Sequence, residues 1–250
     1  MNLKYFIKLA YKGTDFHGWQ SQPNADSVQE RIEKALEVLL RKPTEIVGCG
    51  RTDTGVHAKT YFAHFETETA LIASEFSYKL NALLPKSISV YEVFQVSDTA
   101  HARFDAVSRS YEYHILLENN PFEWDTTWQL SHRTFDLNLM NEAAQKLLLH
   151  SDFKAFSKSK TDVKNYFCTI TEAYWSLDQN RLVFHITANR FLRNMVRAIV
   201  GTLLEVGEGK LSVNGFEQVI LSQNRSEAGL SVPAKGLFLS NIVYNLTSNF

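Results

Sequence analysis

Apolar and polar positions alternate at the start of the chain. Leu3, Tyr5, Ile7, Leu9 and Tyr11 fall on one parity, with Lys4 and Lys8 on the other, which is the period-two pattern of a half-buried strand. The period then lengthens. Ser27-Val28-Gln29-Glu30 is a capping box, and behind it Val28, Ile32, Ala35, Leu36 and Leu39 keep helical spacing to about Arg41, with Pro43 helping to end the helix. A short strand is expected near 44–47, then a glycine-bounded loop, then a strand over 60–68. Phe76, Leu80 and Leu83 form a second helical stripe stopped at Pro85, and Ile88, Val90, Phe94 and Val96 suggest another strand. The first half reads β-α-β-β-α-β, a ferredoxin-like split unit.

The second half admits the same reading. Arg109, Tyr111, Tyr113, Ile115 and Leu117 alternate as a strand. A helix is expected over about 136–150, strands near 169–177 and 181–188, and a helix from roughly Phe191 to Val206 that ends at Gly207. A short helix over 216–221 and a last strand over 237–244 complete a second β-α-β-β-α-β with additions. The likeness of the halves is topological, with no sequence repeat. The pattern therefore predicts an α+β chain of two ferredoxin-like halves with antiparallel sheets, residues 1–105 and 106–250.

At 250 residues, with 44% hydrophobic and 21% charged positions, the chain has the composition of a folded globular protein rather than a disordered one. No run approaches the roughly 20 apolar residues of a membrane helix, and the N-terminus lacks the pattern of a cleaved signal. A cytoplasmic location is the expectation. Cys49 and Cys168 form no C-x-x-C pair, so no zinc knuckle or disulfide framework is indicated, and the histidines show no H-E-x-x-H spacing. The net charge of −1 does not match the basic domain expected of a nucleic-acid binder. Its distribution matters more. Lys146, Lys154, Lys158, Lys160 and Lys164 outnumber Asp152 and Asp162 in their stretch, and Arg190, Arg193 and Arg197 have no acid between them. The charge neither demands RNA nor excludes it.

Chemistry concentrates in Gly48-Cys49-Gly50-Arg51-Thr52-Asp53-Thr54-Gly55-Val56-His57-Ala58. The glycines permit positive φ and close approach of a ligand, and they bracket the opposite charges of Arg51 and Asp53. Spacing alone favours a structural turn in which Asp53 bonds its own backbone. The lysine and final Ser/Thr of a P-loop are missing, and a strand rather than a helix follows, so neither phosphate-loop motif is met.

Arg51-Thr52-Asp53-Thr54-Gly55-Val56-His57-Ala58 resembles the R-T-D-A-G-V-H-A active-site motif of the TruA family of tRNA pseudouridine synthases, with Thr54 in place of alanine. Tyr11-Lys12-Gly13-Thr14, Gly18-Trp19-Gln20 and Ser27-Val28-Gln29-Glu30 are similar to that family's opening segments. His101-Ala102-Arg103-Phe104 and Ser108-Arg109-Ser110-Tyr111 resemble the stretch joining its halves. Asn194-Met195-Val196-Arg197 with Ile199-Val200-Gly201, and Gly236-Leu237-Phe238-Leu239, resemble its late motifs. The resemblance spans essentially the whole chain. It implies a pseudouridine synthase fold and isomerisation of uridines 38, 39 and 40 in the tRNA anticodon stem-loop, without metal or cofactor, by a homodimer. Asp53 is then the catalytic carboxylate. An arginine must favour its ionised form; Arg51 is the local candidate, and Arg197 is the one that the resemblance implies. Tyr111 corresponds to the active-site tyrosine, able to stack on an extruded base, and Leu237 would lie against that base. Arg51, Arg103 and Arg109, with Lys12, Lys154, Lys158, Lys160, Arg190 and Arg193, are candidates for RNA phosphates.

Each assignment has a plainer counterpart. Arg190, Arg193 and Arg197 at i, i+3 and i+7 would form the solvated face of a helix. Tyr111 would be a sheet tyrosine beside Tyr113, and Leu237 would be core. Two other functions compete. A nucleoside or glycoside hydrolase would pair Asp53 with a second carboxylate such as Asp15 or Asp105. A non-catalytic RNA-binding module would need exposed aromatics in an RNP-like pattern, and none is found.

Overall fold

The computed structural model describes residues 2–158 and 163–245. In chain order it forms β1 (Leu3–Tyr11), α1 (Val28–Leu40), β2 (Val47–Gly48), β3 (His57–Thr67), α2 (Ala73–Leu83), β4 (Ile88–Val96), β5 (Ala106–Leu116) and β6 (Trp128–Gln129). Then follow α3 (Leu137–Lys146), β7 (Ile170–Asp178), β8 (Arg181–Ala188), α4 (Met195–Gly207), α5 (Val213–Ser222) and β9 (Leu237–Tyr244). The chain divides into two compact units: one runs to Val107 and includes the residues from Phe238 onward, and the other is Ser108–Leu237. The last strand, read in the sequence as the end of the second half, thus groups with the first unit.

In the first unit β1 lies between β4 and β3, antiparallel to both. Tyr5, Ile7, Leu9 and Tyr11 are all buried, as their alternation requires. Helix α1 starts where the capping box places it: the Ser27 hydroxyl accepts from the Glu30 N–H at 3.2 Å. It buries Val28, Ile32, Ala35 and Leu36 and stops at Arg41, whose φ is +57°. The second strand is shorter and later than its expected 44–47. Both backbone groups of Ile46 bond to side chains of α1, the N–H to Glu33 at 3.1 Å and the carbonyl to Gln29 at 3.3 Å, so pairing with β3 begins only at Val47. One edge of β3 is shared, β2 taking the Ala63–His64 end and β9 the His57–Ala58 end. The β9 pairing is parallel, so the expectation of a wholly antiparallel sheet does not hold. A strand returning from a distant part of the sequence can enter in either direction, and local periodicity carries no sign of which.

In the second unit β8 lies between β5 and β7, again antiparallel, with Tyr111 opposite Ile186 and Trp175 opposite Phe184. The short β6 is parallel to β5. Helix α4 does not begin at Phe191 as its apolar spacing suggested. Asn194 has φ +67°, a left-handed residue that no continuous α-helix contains. Arg190 and Arg193 therefore precede the helix, and the single basic face through Arg190, Arg193 and Arg197 is not formed. Among the described residues no helix is long and apolar enough to cross a membrane.

The strands that end these two arrangements, β4 and β7, are closed in the same way. Asn81 of α2 donates its amide to the Val90 carbonyl and accepts from the Val90 N–H, at 2.7 and 2.8 Å. Asn141 of α3 does so for Trp175, at 3.2 and 2.7 Å. A carboxamide has one donor and one acceptor side, so it satisfies an edge residue as a neighbouring strand would, which removes a template for unwanted pairing.

The segment after β4 is tied down by a buried histidine. His64 of β3 accepts at Nδ1 from the Ala102 N–H at 3.1 Å, while Tyr244 Oη donates to the Ala102 carbonyl at 2.5 Å. His101 stands edge-on to His64, with ring centroids 4.7 Å apart. Burial pushes the His64 imidazole down from 6.5 to about 4, with His101 and Lys4 acting in the same direction. The unfolded chain therefore takes up this proton first, and stability contributed here is complete above about pH 6.5 and lost as the pH falls toward 4. Chemical denaturation across this window should show a stability that falls with acid. His64→Gln should lower stability at neutral pH yet flatten that slope; equal slopes in both proteins would exclude His64 as the cause.

Candidate active site

The glycine-bounded loop joins β2 to β3 in the first unit, and the segment after β1 grips it. A β-carbon on Gly13 would stand 2.0 Å from the Val56 carbonyl oxygen, and one on Gly18, whose φ is +89°, 2.3 Å from that of Thr52. Only glycine permits either approach. Hydrogen bonds lie along the same contact. The Gly13 N–H donates to His57 Nδ1 at 2.9 Å, the Trp19 N–H to Thr52 O at 3.4 Å, and the Gly55 N–H to Phe16 O at 3.3 Å. The turn carrying Asp53 is closed by its main chain, Val56 N–H to Asp53 O at 3.1 Å, with Gly55 at φ +77° in the third turn position.

Below the loop lie Tyr11, Trp19 and Tyr61, all buried. Trp19 stacks on Tyr61 with centroids 4.1 Å apart, and Tyr11 meets Tyr61 edge-on at 5.5 Å. Both phenols reach the loop: Tyr11 Oη is 2.8 Å from Thr52 Oγ1, and Tyr61 Oη donates to the Gly50 carbonyl. Burial holds the Tyr61 phenol well above its ordinary pKa, and Cys49 and Tyr11 add to that, so it remains a donor. Arg51 is exposed and Asp53 half-buried. Cys49 is buried.

Arg103 is exposed and lies 5.8 Å from the Phe104 ring, in a turn whose N–H groups at 103 and 104 donate to His101 Nδ1. The Asp105 carboxylate accepts from the His101 N–H at 2.7 Å, a use of this acid within its own turn.

The second unit carries the other predicted residues. Arg109, Tyr111 and Tyr113 share one face of β5. Arg109 is half-buried and donates to the Asn189 carbonyl at 3.0 Å. Tyr111 is half-buried and meets Phe191 edge-on at 5.0 Å. Tyr113 is fully buried and donates to the Pro233 carbonyl at 2.8 Å. Burial pushes its phenol pKa up, and the Arg197 guanidinium opposes this. Arg197 is not a solvated surface arginine: it is half-buried, and its Nε donates to the Val232 carbonyl at 2.6 Å. Leu237 is buried directly after the turn Ala234–Gly236. This unit thus brings Arg197, Tyr113 and the 232–233 segment together. Lys154 lies 5.8 Å from the Tyr166 ring and Arg190 donates to the Asn165 side chain at 2.9 Å, while the Lys158 N–H donates to the Arg193 carbonyl at 3.1 Å. Lys160 lies outside the described residues.

Tyr11, Thr52, Tyr61 and Tyr113 had no place among the predicted site residues. Tyr113 was detectable, since it follows Tyr111 at the strand period. Tyr11 and Tyr61 read as ordinary strand tyrosines until their hydroxyl partners are known.

A family model described as tRNA pseudouridine synthase matches residues 143–245. The chain is 53% identical to tRNA pseudouridine synthase A of Bacteroides fragilis over 243 residues, 96% of each chain. It is 51% identical to tRNA pseudouridine synthase A of Bacteroides thetaiotaomicron over 244 residues, 96% of this chain and 90% of that one. With tRNA pseudouridine synthase A of Clostridium acetobutylicum the identity is 39% over 240 residues, covering 95% and 98%. Identity of this degree along nearly the whole length, together with the Asp53 loop, shows that the chain belongs to the tRNA pseudouridine synthase A family.

Proposed function

We propose that this chain isomerises uridine to pseudouridine in tRNA, at positions 38, 39 and 40 of the anticodon stem-loop, with Asp53 as the catalytic carboxylate and as a homodimer that uses no cofactor. The observation that carries this reading is the Asp53 loop. Its R-T-D-T-G-V-H-A sequence lies on glycine contacts that no other residue type permits, and its turn is closed by main-chain atoms. A site that must hold one carboxylate in place needs that kind of support.

In this reaction the N1–C1′ bond breaks, the base turns, a C5–C1′ bond forms, the hydrogen on C5 leaves as a proton and N1 takes a proton up. Asp53 acts ionised, as nucleophile or base. Arg197 is the cation assigned to favour that form, consistent with its half-buried, hydrogen-bonded guanidinium. Tyr111 offers a ring to the extruded base and Leu237 an apolar contact. Arg51, Arg103 and Arg109 serve the RNA backbone. The two units are assigned to ferredoxin-like halves of a pseudouridine synthase fold. The β4-β1-β3 order of the first, with β2 on the far edge of β3, supports that assignment.

tRNA labelled with tritium at uridine C5 tests the chemistry. The protein should release tritium to water without free base, and Asp53→Asn should abolish release while leaving tRNA affinity nearly intact. Release by well-folded Asp53→Asn would remove Asp53 from the mechanism, and free uracil would indicate hydrolysis instead. Arg197→Met should lower turnover far more than affinity; weakened binding at unchanged turnover would assign Arg197 to a phosphate. Affinity should fall steeply with salt, since each neutralised phosphate contributes about 0.7 (single strand) to about 0.9 (duplex DNA) to the logarithmic slope through the counterions it releases. Lys158→Ala should then reduce both slope and affinity about equally for different tRNAs. An affinity that does not respond to salt would contradict phosphate-led binding.

A further inference from the structure

Tyr11 and Tyr61 lie beneath the loop, and their hydroxyls meet it at residues 50 and 52, one on each side of Arg51. Between these two anchors Arg51 is exposed, and directly after them comes half-buried Asp53. The rings have little freedom of their own. Trp19 stacks on Tyr61, Tyr11 stands edge-on to it, and all three are buried. The β1–β3 register also shifts between Leu9 and Tyr11: Leu9 lies opposite Tyr61, whereas Tyr11 lies opposite Ala58. A bulge of this kind re-aims the side chains that follow it, and Tyr11 is the first of them on β1.

We propose that the phenols of Tyr11 and Tyr61 are a pair of positioning groups that set where the loop presents Arg51 and Asp53. This rests on the assignment of Asp53 as the catalytic carboxylate. Neither phenol is assigned contact with RNA. The rings alone would be supplied equally well by phenylalanine, so any demand for tyrosine lies in the hydroxyls. Those hydroxyls bond to a stretch that belongs to neither β2 nor β3. A carboxylate that has to meet one carbon of a turned base within a few tenths of an ångström needs such fixing more than the fold does.

The test uses the full chain and single-turnover release of tritium from C5-labelled tRNA at saturating enzyme, with tRNA affinity and thermal midpoint measured beside it. Loss of one hydrogen bond of ordinary strength predicts a rate roughly 3- to 10-fold lower for Tyr11→Phe and for Thr52→Val. Affinity should not change. Both substitutions remove the Tyr11–Thr52 bond, so the double variant should be slower than the slower single one by far less than the product of the two effects, and Thr52→Ser, which keeps the hydroxyl, should retain nearly the full rate. Tyr61→Phe removes a different bond to the same loop, so it should slow release as well, and its combination with Tyr11→Phe should be slower than either alone. Full rates in Tyr11→Phe and Thr52→Val would overturn the proposal. So would a loss that appears only near the thermal midpoint, or a loss confined to affinity. Asp53→Asn in the same assay separates the two assignments. If it still releases tritium, the catalytic assignment fails. If it is inactive while Tyr11→Phe and Thr52→Val keep the full rate, only the positioning proposal fails.

Discussion

The first unit is organised around two backbone contacts that leave no room for a side chain. The carbonyl oxygens of Val56 and Thr52 occupy the space in which a β-carbon of residue 13 or 18 would stand. Chain segments separated by more than thirty residues thereby touch through main chain alone, and the loop carrying Arg51 and Asp53 rests on the segment that leads from β1 to α1. The other features follow from this. Gly13 lends its N–H to His57, and Trp19, one residue beyond Gly18, turns inward to stack on Tyr61. That stack places the Tyr61 phenol under Gly50 and packs against Tyr11 under Thr52. A larger residue at either glycine would lift the loop from its support, whatever its effect on the rest of the sheet.

Such contacts explain what could be read in the sequence and what could not. Residues that satisfy themselves locally were legible. The Ser27 cap and the stop near Gly207 depend on neighbours a few positions away, and β1 at Leu3–Tyr11 and β8 at Arg181–Ala188 carry their alternation within their own residues. The failures occurred where a distant partner or a single dihedral decided the outcome. Apolar spacing before Asn194 looks helical because periodicity records which side is buried, whereas the left-handed φ at Asn194 is what starts α4 only at Met195. The strand expected from Thr44 begins later because Gln29 and Glu33, residues of a helix, take the backbone groups of Ile46. The parallel entry of β9 beside β3 could not be read for the same reason. Within the site, the Asp53 loop was visible as a cluster of glycines and charges. The tyrosines that support it were not, because tyrosine is common in strands and the targets of these hydroxyls lie 11 and 41 residues away.

The net charge of −1 misleads for a related reason. A sum carries no positions, and several acids stand beside particular cations. Asp26 pairs with Arg31, Glu30 with Lys34, Glu75 with Lys79, Glu217 with Lys146, Glu123 with Arg181, and Glu208 with both Arg133 and Lys210. Asp26 is held below the usual carboxylate range first by its hydrogen bond to Arg31, and Glu208 first by its hydrogen bond to Lys210. None of these cations is among those assigned to phosphates. Lys154 and Arg190, which are, lie beside an aromatic ring and a neutral carboxamide, and the Asp152 carboxylate accepts from the Lys154 N–H. Surface pairs of the first kind contribute little to stability, but they cancel charge where it stands. What an approaching polyanion meets is the local remainder, because beyond about 8–10 Å at physiological salt the matched pairs are screened. A chain can therefore be close to neutral in total and still offer positive surface to RNA where its basic residues outnumber their acidic neighbours in the sequence.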